Sequence, residues 1–227
     1  YLQSDKFKKD ENYWLEKFAT IPEVATLPCP TAKQSTSTNS SRKTFYISQD
    51  IINKINTFCV QNRVSLYNFF MGIYSIYISK ACNLQDFVLG TPILNRSSFK
   101  EKNATGMFIS TAPFRVSVDS NDTFTQFLTN IAKDTMSMLR HQKYPYQTLL
   151  ETLRKTNSDL PNLFDISISY QNMRGNQKTS SIDFESYWVP NNHISDSLDI
   201  HIHDYNDTGA LYVSYDYKNE KYNEDDI

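Results

Sequence analysis

The stretch 65–82 constrains the fold of this chain more than any other. Its apolar residues Leu66, Phe69, Phe70, Ile73, Ile76, Tyr77 and Cys82 recur at helical spacing and leave almost no polar face. The pattern predicts a helix buried on more than one side, and such a helix needs other layers around it. Its charge-free part, 64–79, is shorter than the ~20 residues of a membrane span and is interrupted by Asn68. The surrounding layers are therefore expected to be protein.

Neighbouring segments supply those layers. Residues 8–18 read as a helix with Tyr13, Trp14, Leu15 and Phe18 on its apolar side. Pro22, Pro28 and Pro30 follow, then a Ser/Thr-rich run, so 19–42 reads as a linker or long loop. Residues 43–48 alternate as a strand with Phe45 and Ile47 on one face. Ser48 fits an N-cap, with Asp50 near the positive helix end, and Ile51, Ile55, Phe58 and Cys59 mark an amphipathic helix. A short buried strand is expected at 87–94 and a longer one at 107–118.

Helical spacing returns at Phe124, Phe127, Leu128, Ile131 and Met138, with Asn121 or Asp122 as the cap, and a shorter helix covers 146–154. The remainder reads as strands at 164–171, 182–189, 197–205 and 211–217. Asn206-Asp207-Thr208-Gly209 makes a hairpin turn between the last two. Interleaved helices and strands predict an α/β domain, a layered mixed sheet flanked by helices, with no internal repeat. The chain opens at Tyr1 inside a helical pattern and stops at Asp225-Asp226-Ile227, where another helix is about to start. Both ends read as cuts through a longer protein.

Charge and composition exclude several classes. Lys+Arg total 23 against 25 Asp+Glu, which argues against a nucleic-acid binder held by a basic surface. A 39% hydrophobic content argues against disorder. Cys29, Cys59 and Cys82 form no Cys-x-x-Cys pair, so neither a zinc site nor a redox motif is expected. Reduced core thiols fit a cytoplasmic protein. The opening residues, with Asp5, Lys6, Lys8 and Lys9, do not read as a secretory signal. The chain has 5 glycines, and none belongs to a Gly-x-Gly-x-x-Gly or Walker loop.

Three segments stand out. Gly90-Thr91-Pro92-Ile93-Leu94-Asn95-Arg96 follows Phe87-Val88-Leu89. Thr105-Gly106-Met107-Phe108-Ile109-Ser110-Thr111 leads to Arg115. His141-Gln142-Lys143-Tyr144-Pro145-Tyr146-Gln147 follows a helix. Taken singly, they are a strand exit, a turn glycine and a turn dipeptide. Taken in order, they resemble the Gly-Thr-Pro-Val-x-x-Arg, Gly-x-Phe-Val-Asn-Thr and His-Gln-x-Tyr-Pro-Phe-Glu segments of nonribosomal peptide synthetase condensation domains. Pro161-Asn162-Leu163-Phe164 is similar to the later Asn-Pro-Leu-Phe of that family, and Leu198-Asp199-Ile200 to its Phe-Asp-Leu. Tyr13, Trp14 and Phe18 resemble the Tyr-Trp helix that leads into the family's second half. The chain departs from the pattern at Ser110, where the family has Asn, and at Lys143 and Gln147, which replace acidic residues. Pro161-Asn162 is inverted.

The resemblance implies a chloramphenicol-acetyltransferase-like half-domain over residues 1–227, the C-terminal subdomain without its N-terminal one. It implies peptide-bond formation between thioesters held on phosphopantetheine arms of carrier proteins, with no cofactor bound directly. Implied partners are peptidyl or acyl carrier proteins, the N-terminal subdomain and a neighbouring adenylation domain, with neither nucleic acid nor membrane. The active-site histidine belongs to a His-His-x-x-x-Asp-Gly motif in the other half, so no catalytic residue and no metal ligand is expected here. Positions expected near the channel are Gly90, Thr91, Pro92, Arg96, Gly106, Phe108, Ser110, Thr111, Arg115, His141, Gln142, Tyr144 and Pro145. Epimerisation, heterocyclisation or acyltransferase relatives, and a non-catalytic docking module, stay open. The residues Gly106-Met107-Phe108-Ile109 differ from the Gly-Trp-Phe-Thr of epimerisation domains and favour condensation.

The chain has 4 histidines and no adjacent pair. His203 and Asp207 imitate part of the catalytic motif, but residue 202 is Ile and the segment spans a predicted turn. His201 and His203 share a strand face with Asp199 and Tyr205, expected to be a solvated polar face. His141 at a helix end suits the negative helix terminus better than a channel role. In 107–118, alternation puts Phe108, Ser110, Ala112, Phe114 and Val116 on one face, with Thr111 and Arg115 on the other. Pro113 predicts an edge, a bulge or a strand end. Ser110 and Arg115 are expected to matter for activity, and loss of Arg115 to lower it strongly if the side chain pairs with a carboxylate that holds the two halves or the channel together.

Overall fold

Ser4 starts the first helix, its side chain accepting a hydrogen bond from the Phe7 N–H. From there the chain forms α1 (Asp5–Lys17), β1 (Ser40–Tyr46), α2 (Gln49–Asn62), α3 (Leu66–Cys82), β2 (Asp86–Ile93) and α4 (Phe99–Lys102). There follow β3 (Ser110–Ser117), α5 (Phe124–Arg140), α6 (Tyr146–Arg154), β4 (Ile166–Met173), β5 (Leu198–Tyr205) and β6 (Ala210–Lys218). The structure, a computed structural model, describes residues 1–29, 36–173, 188–205 and 209–227. They divide into two units, Tyr1–Ala25 with Met71–Asp165 and Thr26–Phe70 with Ile166–Ile227.

In the first unit β2 and β3 pair antiparallel from Asp86↔Ser117 to Ile93↔Ser110. Phe87, Val88 and Leu89 are fully buried, so β2 is covered on both faces. On β3, Ala112, Phe114 and Val116 are buried together, as alternation predicts, and α5 and α6 pack against this strand. Among the described residues β3 pairs with β2 alone, so Pro113 occupies an edge strand where its missing donor costs nothing. Phe127, Leu128, Ile131 and Met138 form the buried stripe of α5. Close approach of α3 to α5 needs Gly72, since a Cβ there would lie 2.3 Å from Leu128 Cδ2.

The second unit holds a four-stranded mixed sheet in the order β1-β6-β5-β4. β4 and β5 run parallel, and the other pairs antiparallel. Ile166, Ile168, Leu198, Ile200, Ile202, Leu211 and Val213 are its buried apolar residues. Phe58 of α2 meets Phe69 of α3 with ring centroids 5.7 Å apart.

Several expectations need correction. The linker 19–42 ends early, because Ser40, Ser41 and Arg42 already pair with Lys218, Tyr217 and Asp216. Ile52, not Ile51, is buried on α2, while Ile51 is exposed; Ser48 does occupy the N-cap position, without a side-chain hydrogen bond there. Thr123, not Asn121 or Asp122, caps α5: its hydroxyl accepts from Gln126 N–H and Gln126 returns the bond, a complete capping box. The strand expected from residue 107 begins at Ser110, and Met107 is 91% exposed. On α3, Tyr77 faces out, so this helix is not covered all round. Of the strand expected at 182–189, all but Trp188 and Val189 lie outside the described residues, and those two are not in a strand. In the 206–209 hairpin turn, Gly209 has φ +67°, the left-handed backbone that favours glycine, and its first three residues lie outside the described ones.

Candidate functional site

Two gatherings of the expected positions appear in the first unit. One surrounds Arg96. Its guanidinium donates to the carbonyls of Glu101, Ala104 and Gly106, the last two at 2.7 Å, and lies 4.1 Å from the Phe108 ring centroid. Gly106 takes φ +140°, which a side chain would resist. Arg96, Gly106 and Phe108 thus belong to one folded loop. Glu101 anchors it from inside, accepting from the N–H of Ser97 at 2.8 Å and of Ser98 at 3.0 Å, and from Lys143 Nζ. The Lys143 ammonium and the Ser98 and Ser97 amides hold the Glu101 carboxyl at about 2.

The other gathering sits where α1 meets the turn between α5 and α6. His141 caps the end of α5, stacks on Tyr13 with centroids 4.0 Å apart, and places Nδ1 2.7 Å from Asp10 Oδ1. Its carbonyl accepts from Trp14 Nε1 at 3.0 Å. Asp10 is fully buried and also accepts from Tyr1 at 2.7 Å and Lys6 at 2.5 Å. Burial raises its carboxyl, but the bonds from Lys6, Tyr1 and His141 outweigh that and hold it below its ordinary value. Tyr144 is buried and donates to Glu11 at 3.1 Å, Gln142 donates to Leu139 O, and Pro145 is the N-cap of α6. Burial, then Glu11, pushes the Tyr144 hydroxyl up to about 12. His141 thus ties the end of α5 to α1.

The other positions lie along β2 and β3. A Cβ on Gly90 would stand 2.5 Å from the Phe164 ring, so glycine is required by close packing. Thr91 is buried, Pro92 exposed, and Ser110 and Thr111 pair with Ile93 and Pro92. Arg115 is separate from both gatherings. It grips Asp86 through Nε at 2.8 Å and Nη2 at 2.5 Å, and it donates to the carbonyls of Lys17 and Thr20. The carboxylate that it grips belongs to the same unit. A cavity of about 380 Å³ lies elsewhere, between Lys80, Gln85, Asp119 and Phe124, and none of the expected positions lines it.

In the second unit, the face carrying His201 and His203 is not the solvated surface that alternation suggested. His203 has 0% exposure, is stacked on Tyr212 at 4.4 Å with Trp188 edge-on at 5.6 Å, and neither ring nitrogen has a hydrogen-bond partner. His201 Nδ1 lies 2.7 Å from Ser169 Oγ and its Nε2 3.3 Å from Asp216, which Arg42 also binds at 2.5 and 2.6 Å. Polar side chains from adjacent strands pair around His201, while ring packing holds His203, so the face is buried without being apolar. Burial, then His201 and Arg42, pushes His203 down to about 4. Asp207 lies outside the described residues. Among the described residues no cluster of three or more His, Cys, Asp or Glu stands ready for a metal ion, and no helix is long and apolar enough to cross a membrane.

Asp10, Asp86 and Glu101 were not singled out in the sequence. Only Glu101 had a local signal, since Ser98-x-x-Glu101 has the spacing of a capping box, which the structure completes.

Helices and a mixed sheet arranged in this way define a chloramphenicol-acetyltransferase-like α/β fold, and solved condensation domains share it. The condensation domain of Monacolin K polyketide synthase superposes with a TM-score of 0.83 at 17% identity, over 98% of this chain and 54% of that one. The starter condensation domain of rhizomide synthetase gives 0.77 at 23% identity, over 99% and 49%. The condensation-domain family model matches residues 1–227, and the chain belongs to that family. It is 34% identical over 227 residues to surfactin synthase subunit 1 of Bacillus subtilis (strain 168), and 33% identical over the same length to one of the plipastatin synthase proteins of that organism. It spans 6% and 9% of the length of those two relatives.

Proposed function

We propose that this chain is the C-terminal half of a condensation domain that forms peptide bonds in nonribosomal peptide synthesis. The observation that carries the reading is the family match across all 227 residues, with relatives that include a dimodular nonribosomal peptide synthase. The solved domains of the fold are about twice as long, since the chain covers 49% and 54% of two of them, which supports a half-domain. In the reaction, the amine of an acceptor aminoacyl thioester adds to the carbonyl of a donor thioester. The tetrahedral adduct collapses with loss of the donor thiolate, and the amine proton ends on that sulfur or in solvent. Both substrates ride on phosphopantetheine arms of carrier proteins, in a cytoplasmic assembly that includes an adenylation domain.

The general base or charge-stabilising histidine comes from the other half. The part of this chain is to shape the site. Gly90, Thr91, Pro92, Ser110 and Thr111 form one end of the β2–β3 ladder, and the Arg96 loop leads out of it. We assign these residues to the channel wall. The test is to incubate the full domain, and separately this chain, with donor- and acceptor-loaded carrier proteins and to follow dipeptidyl thioester by mass spectrometry. The full domain is expected to form it, and the chain alone is not. No product from the full domain would overturn the activity, and turnover by the chain alone would overturn the half-domain reading.

A further inference from the structure

Residues 94–109 join β2 to β3, and none of them is buried. Leu94, Phe99, Met107 and Ile109 are 69%, 82%, 91% and 59% exposed. A segment without a buried apolar anchor holds its shape only through polar ties. Arg96 supplies the internal ones by collecting three carbonyls, and Glu101 closes the short turn of α4 through the Ser97 and Ser98 amides. Among the described residues, the side chain that reaches this loop from another element is Lys143, in the turn after α5. It binds the Glu101 carboxylate and lies 3.4 Å from the Asn95 carbonyl. Asn95 sits at φ 52°, a conformation in need of support.

We infer that Lys143 and Glu101 form a latch that holds the 94–109 loop against the α5–α6 turn and so positions it for amide formation. The positioning part rests on the function proposed above. Lys143 and Glu101 are 23% and 29% exposed at the side chain, so water screens the pair only partly. An acidic residue at 143 would face the Glu101 carboxylate and repel it. The same Glu101 carboxylate also accepts the loop amides, so breaking the latch loosens the end of the loop that Arg96 organises.

The test compares the full-length synthetase with its Lys143→Met, Glu101→Gln, double and Lys143→Arg variants. In Lys143→Met, amide hydrogen exchange across 95–106 should rise about fivefold, the scale of one partly exposed ion pair. The kcat for dipeptidyl thioester formation should fall by a similar factor, with the melting temperature little changed. The double variant should be no worse than the poorer single one, and Lys143→Arg should stay close to wild type on both readouts. Unchanged exchange in Lys143→Met, or additive losses in the double variant, would overturn the latch. Raised exchange with unchanged kcat would overturn its positioning role. A wild-type synthetase that forms no amide would instead overturn the function, and exchange would still decide whether the latch exists.

Discussion

Arg115 binds by both prongs of its guanidinium. Nε and Nη2 take the two Asp86 oxygens, and Nη1 ties the carbonyls of Lys17 and Thr20, where α1 ends, to the edge of the β2–β3 pair. Replacing it by Ala strands a carboxylate and two carbonyls together. The cost should be about 2–3 kcal/mol, below that of a fully buried pair. Asp86 is 42% exposed at its side chain, which lets water compensate in part. The melting temperature of the full domain, about twice as long as this chain, should drop by roughly 2–3 °C. Arg115→Lys should recover only part of this, because an ammonium cannot fork. Unchanged melting in Arg115→Ala would make the contact incidental. From the sequence, a carboxylate partner for Arg115 was only a condition, and that it would be Asp86 was not legible, because the β2–β3 register brings the two together.

The sheet of the second unit carries three polar rows across its strands. Ser167, Asp199, Asp216 and Arg42 stand in one, and Ser169, His201, Ser214 and Thr44 in the next. Gln171, His203, Tyr212 and Tyr46 make the third. Within it, His203 is enclosed by aromatic rings and pushed down to about 4. The unfolded chain takes up this proton near pH 6.5, whereas the folded one resists it to about 4. Stability is therefore full above about pH 6.5 and falls as the pH drops towards 4, by an amount on the order of 2–3 kcal/mol. Asp199, raised by burial, acts in the opposite sense as the pH falls. Asp216 is raised by burial but held at about 2 by Arg42 and His201, so its contribution is lost only below about pH 4. A comparison of variants isolates His203. His203→Phe should flatten the decline in melting temperature between about pH 7 and pH 5 while leaving stability at pH 7 unchanged or raised. Parallel profiles for the two proteins would show that another group carries the dependence.

At the scale of the whole chain, four large apolar side chains (Leu94, Phe99, Met107 and Ile109) stand exposed in one connection of the first unit. Soluble monomers rarely leave such groups uncovered in a contiguous patch. If the rest of the domain covers them, the 227-residue chain alone should self-associate. Sedimentation at micromolar concentration should show dimers or larger species, and the full domain should run as a monomer. A clean monomer of the isolated chain would end the half-domain reading.

By itself the sequence located most of the described helices and strands, because periodicity and turn residues act locally, although it missed the short α4. Residues 146–154 are a helix with those bounds, and Pro113 does lie on an edge strand. Five motifs in the family's order were enough to identify the family without the fold. Tertiary structure alone decided partners and burial. Spacing along one strand shows that His201 and His203 share a face, but not that neighbouring strands bring Ser169, Asp216 and Tyr212 to cover it. Asp10 carried no local signal of burial, and His141, which meets it, is 131 positions away. Those contacts join residues far apart in the chain, and a carboxylate is buried only when folding has brought enough donors to replace the water it loses.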